Sequence, residues 1–288
     1  MGANKYDDAK FIAGYFNRKA PYRRKGERDK AIEAYSRTIE IGPKDAAAYY
    51  YRGIIYCENE ERDKGIADFT QVLALDPKCA PAYYYRGLAY LKSGEPDRAL
   101  ADLSAALAED PADARAYCAR GDAWRAKGSE DKAIEEYSRA LAITPGADAY
   151  RGRGAAYCEK AEYDSAVGDF SRAIAIDPED AGAYFDRGRA YALKGEQEKA
   201  IEDFSMTIMS APDKAEAFYG RAAAYAAKGD QDRAIKDFTR VIFIDPKCAA
   251  AYFQRGLAFR EIGENYDAAE DFSRAIALDP EAGMRPPD

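Results

Sequence analysis

The sequence predicts an all-α fold of eight stacked helical hairpins, on three observations. Prolines recur at Pro43, Pro77, Pro111, Pro145, Pro178, Pro212, Pro246 and Pro280, at intervals of 34 residues with one of 33. Aromatic residues keep step with them at Tyr15, Tyr49, Tyr83, Tyr117, Tyr150, Tyr184, Phe218 and Tyr252. Within each interval, small and aromatic residues fall three and four apart, the period of one helix face.

With the proline of each unit placed at position 32, the elements follow in order. Positions 4, 8 and 11 make the stripe of a first helix. Position 8 is Gly53, Gly87, Gly121, Gly154, Gly188, Ala222 and Gly256, and position 11 is aromatic throughout, as at Tyr56 and Trp124. Gly26, Gly94, Gly128, Gly195, Gly229 and Gly263 stand at position 15, where that helix is expected to stop. An acid at position 18, such as Asp63 or Asp131, suits the positive end of a second helix. Positions 20, 24 and 27 make the second stripe, with a small residue at 20 and an aromatic at 24 except Leu103. The proline closes this helix because it cannot continue one. The short interval loses its residue beside Gly146, where a turn absorbs the loss.

Arginine recurs at position 7 (Arg52, Arg86, Arg120, Arg153, Arg187, Arg221, Arg255) and an acid at position 23 of the same units (Asp68, Asp102, Glu136, Asp169, Asp203, Asp237, Asp271). This joint recurrence predicts a ladder of partly buried ion pairs, within a repeat or across to its neighbour. Exchanging the charges of Arg120 and Glu136 would then restore stability lost in either single change. The ends are less regular: Lys19 replaces the position-8 glycine of the first unit, and Pro21 falls inside its first helix. The last apolar face has no covering helix. A fragment, self-association through uncapped ends and a self-sufficient eighth repeat all stay open.

Composition narrows the chemistry. Asp and Glu outnumber Lys and Arg by 51 to 43, a net charge of −8, which disfavours nucleic-acid and anionic-membrane partners. With no histidine, the commonest general base and metal ligand is missing. Five cysteines (Cys57, Cys79, Cys118, Cys158, Cys248) lack zinc-like spacing and read as free thiols of a reducing compartment, by default the cytoplasm. Hydroxyl residues at position 25, from Ser36 to Ser273, recur in every unit and are therefore structural rather than nucleophilic. The expectation is no catalysis, no metal and no cofactor.

The pattern of aromatic, small, aromatic, then alanine, aromatic and proline resembles the tetratricopeptide repeat (TPR) over residues 12–282. The resemblance implies a right-handed superhelical solenoid of eight repeats, at 12–45, 46–79, 80–113, 114–146, 147–180, 181–214, 215–248 and 249–282, between an N-terminal extension 1–11 and a tail 283–288. It also implies a protein-binding scaffold whose concave face carries positions 2, 5, 9, 12 and 13 of the first helices. Those positions hold eight basic and six acidic residues, a stripe of +2 that favours an acidic segment. The expected groove residues are Tyr50, Tyr84, Arg115, Asp122, Arg125, Arg151, Phe185, Arg189, Tyr219 and Phe253. The position-5 aromatics among them need not be core, because positions 4 and 11 already supply a core stripe; the alternative is that they help to pack adjacent repeats. The two-carboxylate clamp by which some family members hold chaperone tails is not met: position 5 is never Lys and position 9 never Asn. A regulatory or targeting arm of a larger, catalytic protein is the alternative function.

Overall fold

A computed structural model describes residues 25–280. Among them are fifteen α-helices and no strand. They are α1 (Lys25–Ile41), α2 (Ala46–Glu58), α3 (Arg62–Leu75), α4 (Ala80–Lys92), α5 (Pro96–Glu109), α6 (Ala114–Ala126), α7 (Glu130–Ile143), α8 (Ala147–Glu159), α9 (Tyr163–Ile176), α10 (Ala181–Lys194), α11 (Gln197–Ser210), α12 (Ala215–Ala227), α13 (Gln231–Ile244), α14 (Ala249–Glu261) and α15 (Asn265–Leu278). The chain forms two compact units, divided between Pro145 and Gly146, which is the place of the one short proline interval. The expected first helix of the first repeat, with Lys19 and Pro21, lies outside the described residues, as do the extension 1–11 and the tail 283–288.

In each unit every even-numbered helix packs against the odd-numbered helix that follows it, and hairpins pack on hairpins. Consecutive first helices also touch (α2 with α4, α4 with α6; α8 with α10, α10 with α12, α12 with α14), whereas consecutive second helices do not. Within each unit the first helices therefore stand closer together and line the inner face.

The hairpin is built around one residue pair. The position-24 side chains Phe69, Leu103, Tyr137, Phe170, Phe204 and Phe238 are almost wholly buried, each burial stabilising by about 1.5–3 kcal/mol. All but Phe238, whose repeat has Ala222 there, lie on the position-8 glycines: a Cβ on Gly121 or Gly154 would stand 2.8 Å from the ring of Tyr137 or Phe170. The second helices begin with the position-18 acid in their first turn (Asp63, Asp97, Asp131, Asp164, Glu198, Asp232, Asp267). Its charge complements the helix dipole. The first helices α2, α6 and α10 are capped directly, by Asp45, Asp113 and Asp180 accepting backbone N–H bonds.

Position 15 takes a left-handed conformation at Gly94, Gly128, Gly195, Gly229 and Gly263, as the stop signal requires. The same conformation is imposed on Glu60 (φ 65°) and Ala161 (φ 59°), which side chains resist. Gly26 lies within α1, and the helix it was expected to end falls outside the described residues. With no Cβ to favour or forbid either backbone, glycine takes the conformation its surroundings demand.

The predicted ion-pair ladder forms within each repeat. All seven Arg–acid pairs close at 2.7–2.8 Å. The arginine side chains are 16–20% exposed and the acids 1–11%. The same guanidinium donates to the position-25 hydroxyl of the preceding repeat, as Arg52 to Ser36, Arg86 to Thr70, Arg187 to Ser171 and Arg255 to Thr239, at 2.9–3.0 Å. Those hydroxyls in turn donate to the carbonyl four residues earlier. Within each unit the recurrent Ser and Thr thus carry the arginine ladder from repeat to repeat. The position-4 ring lies beside each guanidinium, and at Arg52, Arg153, Arg187 and Arg255 the position-11 ring does too, as Tyr49 and Tyr56 flank Arg52 at 5.6 and 5.7 Å.

Candidate interaction groove

The inner face of the first unit is dense with tyrosine. Tyr50 is buried, in edge contact with Phe69 (6.1 Å) and with Tyr85 (5.8 Å). Tyr85, at position 6, stacks on Phe69 at 6.0 Å. Tyr84 meets Tyr85 edge-on at 5.2 Å, and the Arg115 guanidinium stands 5.3 Å from its ring centre. Burial pushes the Tyr84 phenol up to about 12. Arg115 also forks onto Asp113, the cap of its own helix, at 2.8 and 3.0 Å. Asp122 accepts a short hydrogen bond from Tyr137, and Arg125 bonds the same phenol.

In the second unit, Arg151 donates to Asp180 (3.2 Å) and to Asp186 (3.1 Å). Gly182 makes room for it, since a Cβ there would stand 2.7 Å from the guanidinium. Phe185, Arg189 and Tyr219 come together around a cavity of about 460 Å³, with Phe204 and Gly220 in its wall. Phe253 leans on Phe272 at 5.5 Å and lines a second cavity of about 420 Å³ with Leu257 and Arg260.

The position-5 aromatics also pack within their own hairpins. Tyr50, Phe185, Tyr219 and Phe253 each pack on the position-24 ring of their own hairpin, at 5.4–6.1 Å. Of the expected groove charges, Arg115, Asp122, Arg125 and Arg151 are engaged within the protein. Arg189 is exposed and makes no ion pair among the described residues; its guanidinium stands 6.0 Å from the ring centre of Phe185. Three contributors escaped the groove reading. Tyr85 and Gly220 both stand at position 6, a column that is tyrosine in the second and third repeats and glycine in the fifth and seventh. Lys214, the residue before α12, holds its ammonium 3.9 Å from the Phe185 ring centre.

Cysteine chemistry is muted. Cys79 occupies the position before α4, where a helix end would favour a thiolate, yet burial outweighs it and pushes the thiol up to about 11. Burial does the same to Cys57. Among the described residues no three His, Cys, Asp or Glu side chains gather to hold a metal, and no helix is long and apolar enough to cross a membrane.

Tetratricopeptide-repeat profiles match residues 56–102, 84–148, 215–248 and 249–281, and a TPR-repeat profile matches 22–60 and 154–195. The chain belongs to the tetratricopeptide-repeat family. No curated protein matches it in sequence. Among solved structures it is similar to MamA, with 26% identity over 57% of this chain and 97% of that one, and a TM-score of 0.54. It is also similar to YrrB, described as a TPR protein with an unusual peptide-binding site, with 25% identity, 64% and 95% coverage and a TM-score of 0.53. A tetratricopeptide-repeat protein of Parabacteroides merdae ATCC 43184 shares the fold alone, at 20% identity, 82% and 93% coverage and a TM-score of 0.63.

Proposed function

We propose that this chain is a protein-interaction scaffold that holds an extended segment of a partner against the inner faces of its first helices. The observation that carries the proposal is the cavity of the second unit, lined by Phe185, Tyr219 and the unpaired Arg189. Aromatic residues and arginine are the types that most often dominate binding energy, and about 460 Å³ lies within the range of ligand sites. YrrB, similar in fold and sequence, has a peptide-binding site by its description. The acidic preference suggested by the net charge of the stripe is dropped from the proposal, because Arg115 and Arg151 already face Asp113, Asp180 and Asp186. A photoreactive residue in place of Tyr84 or Arg189 should cross-link a partner in native lysate, and one in place of Glu135 on a second helix should not. Equal capture from both faces would remove the groove as the binding surface.

A further inference from the structure

The two units treat one structural position in opposite ways. In the first, the ring of Tyr85 lies on Phe69 and against Tyr50, filling the place where a second-helix ring would otherwise face the groove. The corresponding residues of the second unit are Gly220, Phe204 and Phe185. Gly220 lies directly on Phe204, since a Cβ there would stand 2.6 Å from the ring edge. No side chain can fill the place from that position, and the cavity of about 460 Å³ opens there.

A second, independent feature marks the same cavity. Tyr219 lines it, and its hydroxyl oxygen is buried with no hydrogen-bond partner among the described residues. A buried hydroxyl left without a partner is less stable than one that is satisfied. Desolvation keeps this phenol protonated far above its ordinary range, so it is a neutral group able to donate or accept. The rim charges balance: Arg189 and Lys214 lie against Phe185, while Glu216 and Asp245 contribute to the wall. Net charge therefore selects little, and the fit is set by an apolar, ring-lined space with one orphaned hydroxyl buried at its wall.

We propose that this cavity receives a tyrosine or tryptophan side chain of the partner segment, lying on Phe204 as Tyr85 lies on Phe69, with its polar edge bonded to the Tyr219 hydroxyl. An aromatic ring with its own hydrogen-bonding group meets both requirements, whereas Phe or Leu would fill the space and leave the hydroxyl unpaired. The inference rests on the groove reading above and specifies it.

The test selects peptides from a random displayed library against the full chain. The best binder is then synthesised, together with versions in which its aromatic is changed to Phe and to Leu. Selected peptides should share a Tyr or Trp. The change to Phe should weaken binding about three- to tenfold, the usual worth of one neutral hydrogen bond. Gly220→Tyr, whose side chain must displace the Phe204 ring that walls the cavity, should abolish binding with helicity retained. Tyr219→Phe guards against misfolding of that variant: it should leave the protein at least as stable as wild type and erase the difference between the Tyr or Trp peptide and its Phe version. Peptides without an aromatic, or binding indifferent to Gly220→Tyr and Tyr219→Phe but lost on Tyr84→Ala, would overturn the pocket and leave the groove reading standing. No selected peptide, or binding indifferent to all of these changes and to Arg189→Ala, would overturn both.

Discussion

Breaking one rung of the arginine ladder should cost far more than removing it whole. Arg187 donates to both oxygens of Asp203 at 2.7 and 2.8 Å and to Ser171 at 3.0 Å. The carboxylate is 6% exposed and the guanidinium 20%. Asp203→Leu strands a largely buried cation, which generally costs 3–5 kcal/mol. The remaining exposure of the guanidinium and its bond to Ser171 place the expectation at the low end, about 3 kcal/mol. Arg187→Met with Asp203→Leu removes both desolvation penalties and should recover all but about 1 kcal/mol. Repeat stacks open locally, so the measurement is native-state hydrogen exchange in α10 and α11. Exchange should run about a hundredfold faster in the single variant and near the wild-type rate in the double. A double variant that exchanges as fast as the single one would refute the argument, and so would a single variant within threefold of wild type. The structure also reverses one expectation of the sequence. Exchanging the charges of Arg120 and Glu136 should not restore stability, because a carboxylate at position 120 would face the ring of Tyr117 and the oxygen of Ser104, both arranged for a cation.

Three further outcomes follow from local geometry. Glu60→Gly and Ala161→Gly should each stabilise by about 1 kcal/mol in thermal melts, since both residues hold a left-handed backbone that costs a side chain about 1–2 kcal/mol. Gly121→Ala should destabilise by about 1–3 kcal/mol, because its Cβ displaces the buried ring of Tyr137; an unchanged urea midpoint would contradict the close packing described here. Stability should fall at high pH. Cys57 and Cys79 keep their protons to about 11 when folded, whereas an unfolded thiol ionises near 8.5. The unfolded state therefore binds fewer protons in that window, and each thiol should lower stability by up to about 1.4 kcal/mol per pH unit from about 8.5 towards 11. Urea midpoints at pH 8 and 10.5, with and without Cys57→Ala and Cys79→Ala, measure this.

The sequence by itself determined the repeat, its period and both helical stripes, because each is a property of residues three, four or 34 apart on one chain. It also exposed the Arg–acid ladder, since seven recurrences at a fixed separation of sixteen residues leave their mark in a single chain. The partners of groove residues depend instead on how one hairpin seats on the next, which no period encodes. Only the tertiary structure decided that Arg151 faces Asp180 and Asp186, 29 and 35 residues onward, and that the position-5 rings lean on their own second helices. The cavity shows the division most plainly. Gly220 is visible in the sequence as a glycine where earlier repeats carry tyrosine. Its consequence, a ring-lined space beside an unpaired phenol, exists only once Phe185, Phe204 and Tyr219 are packed around the side chain that is missing.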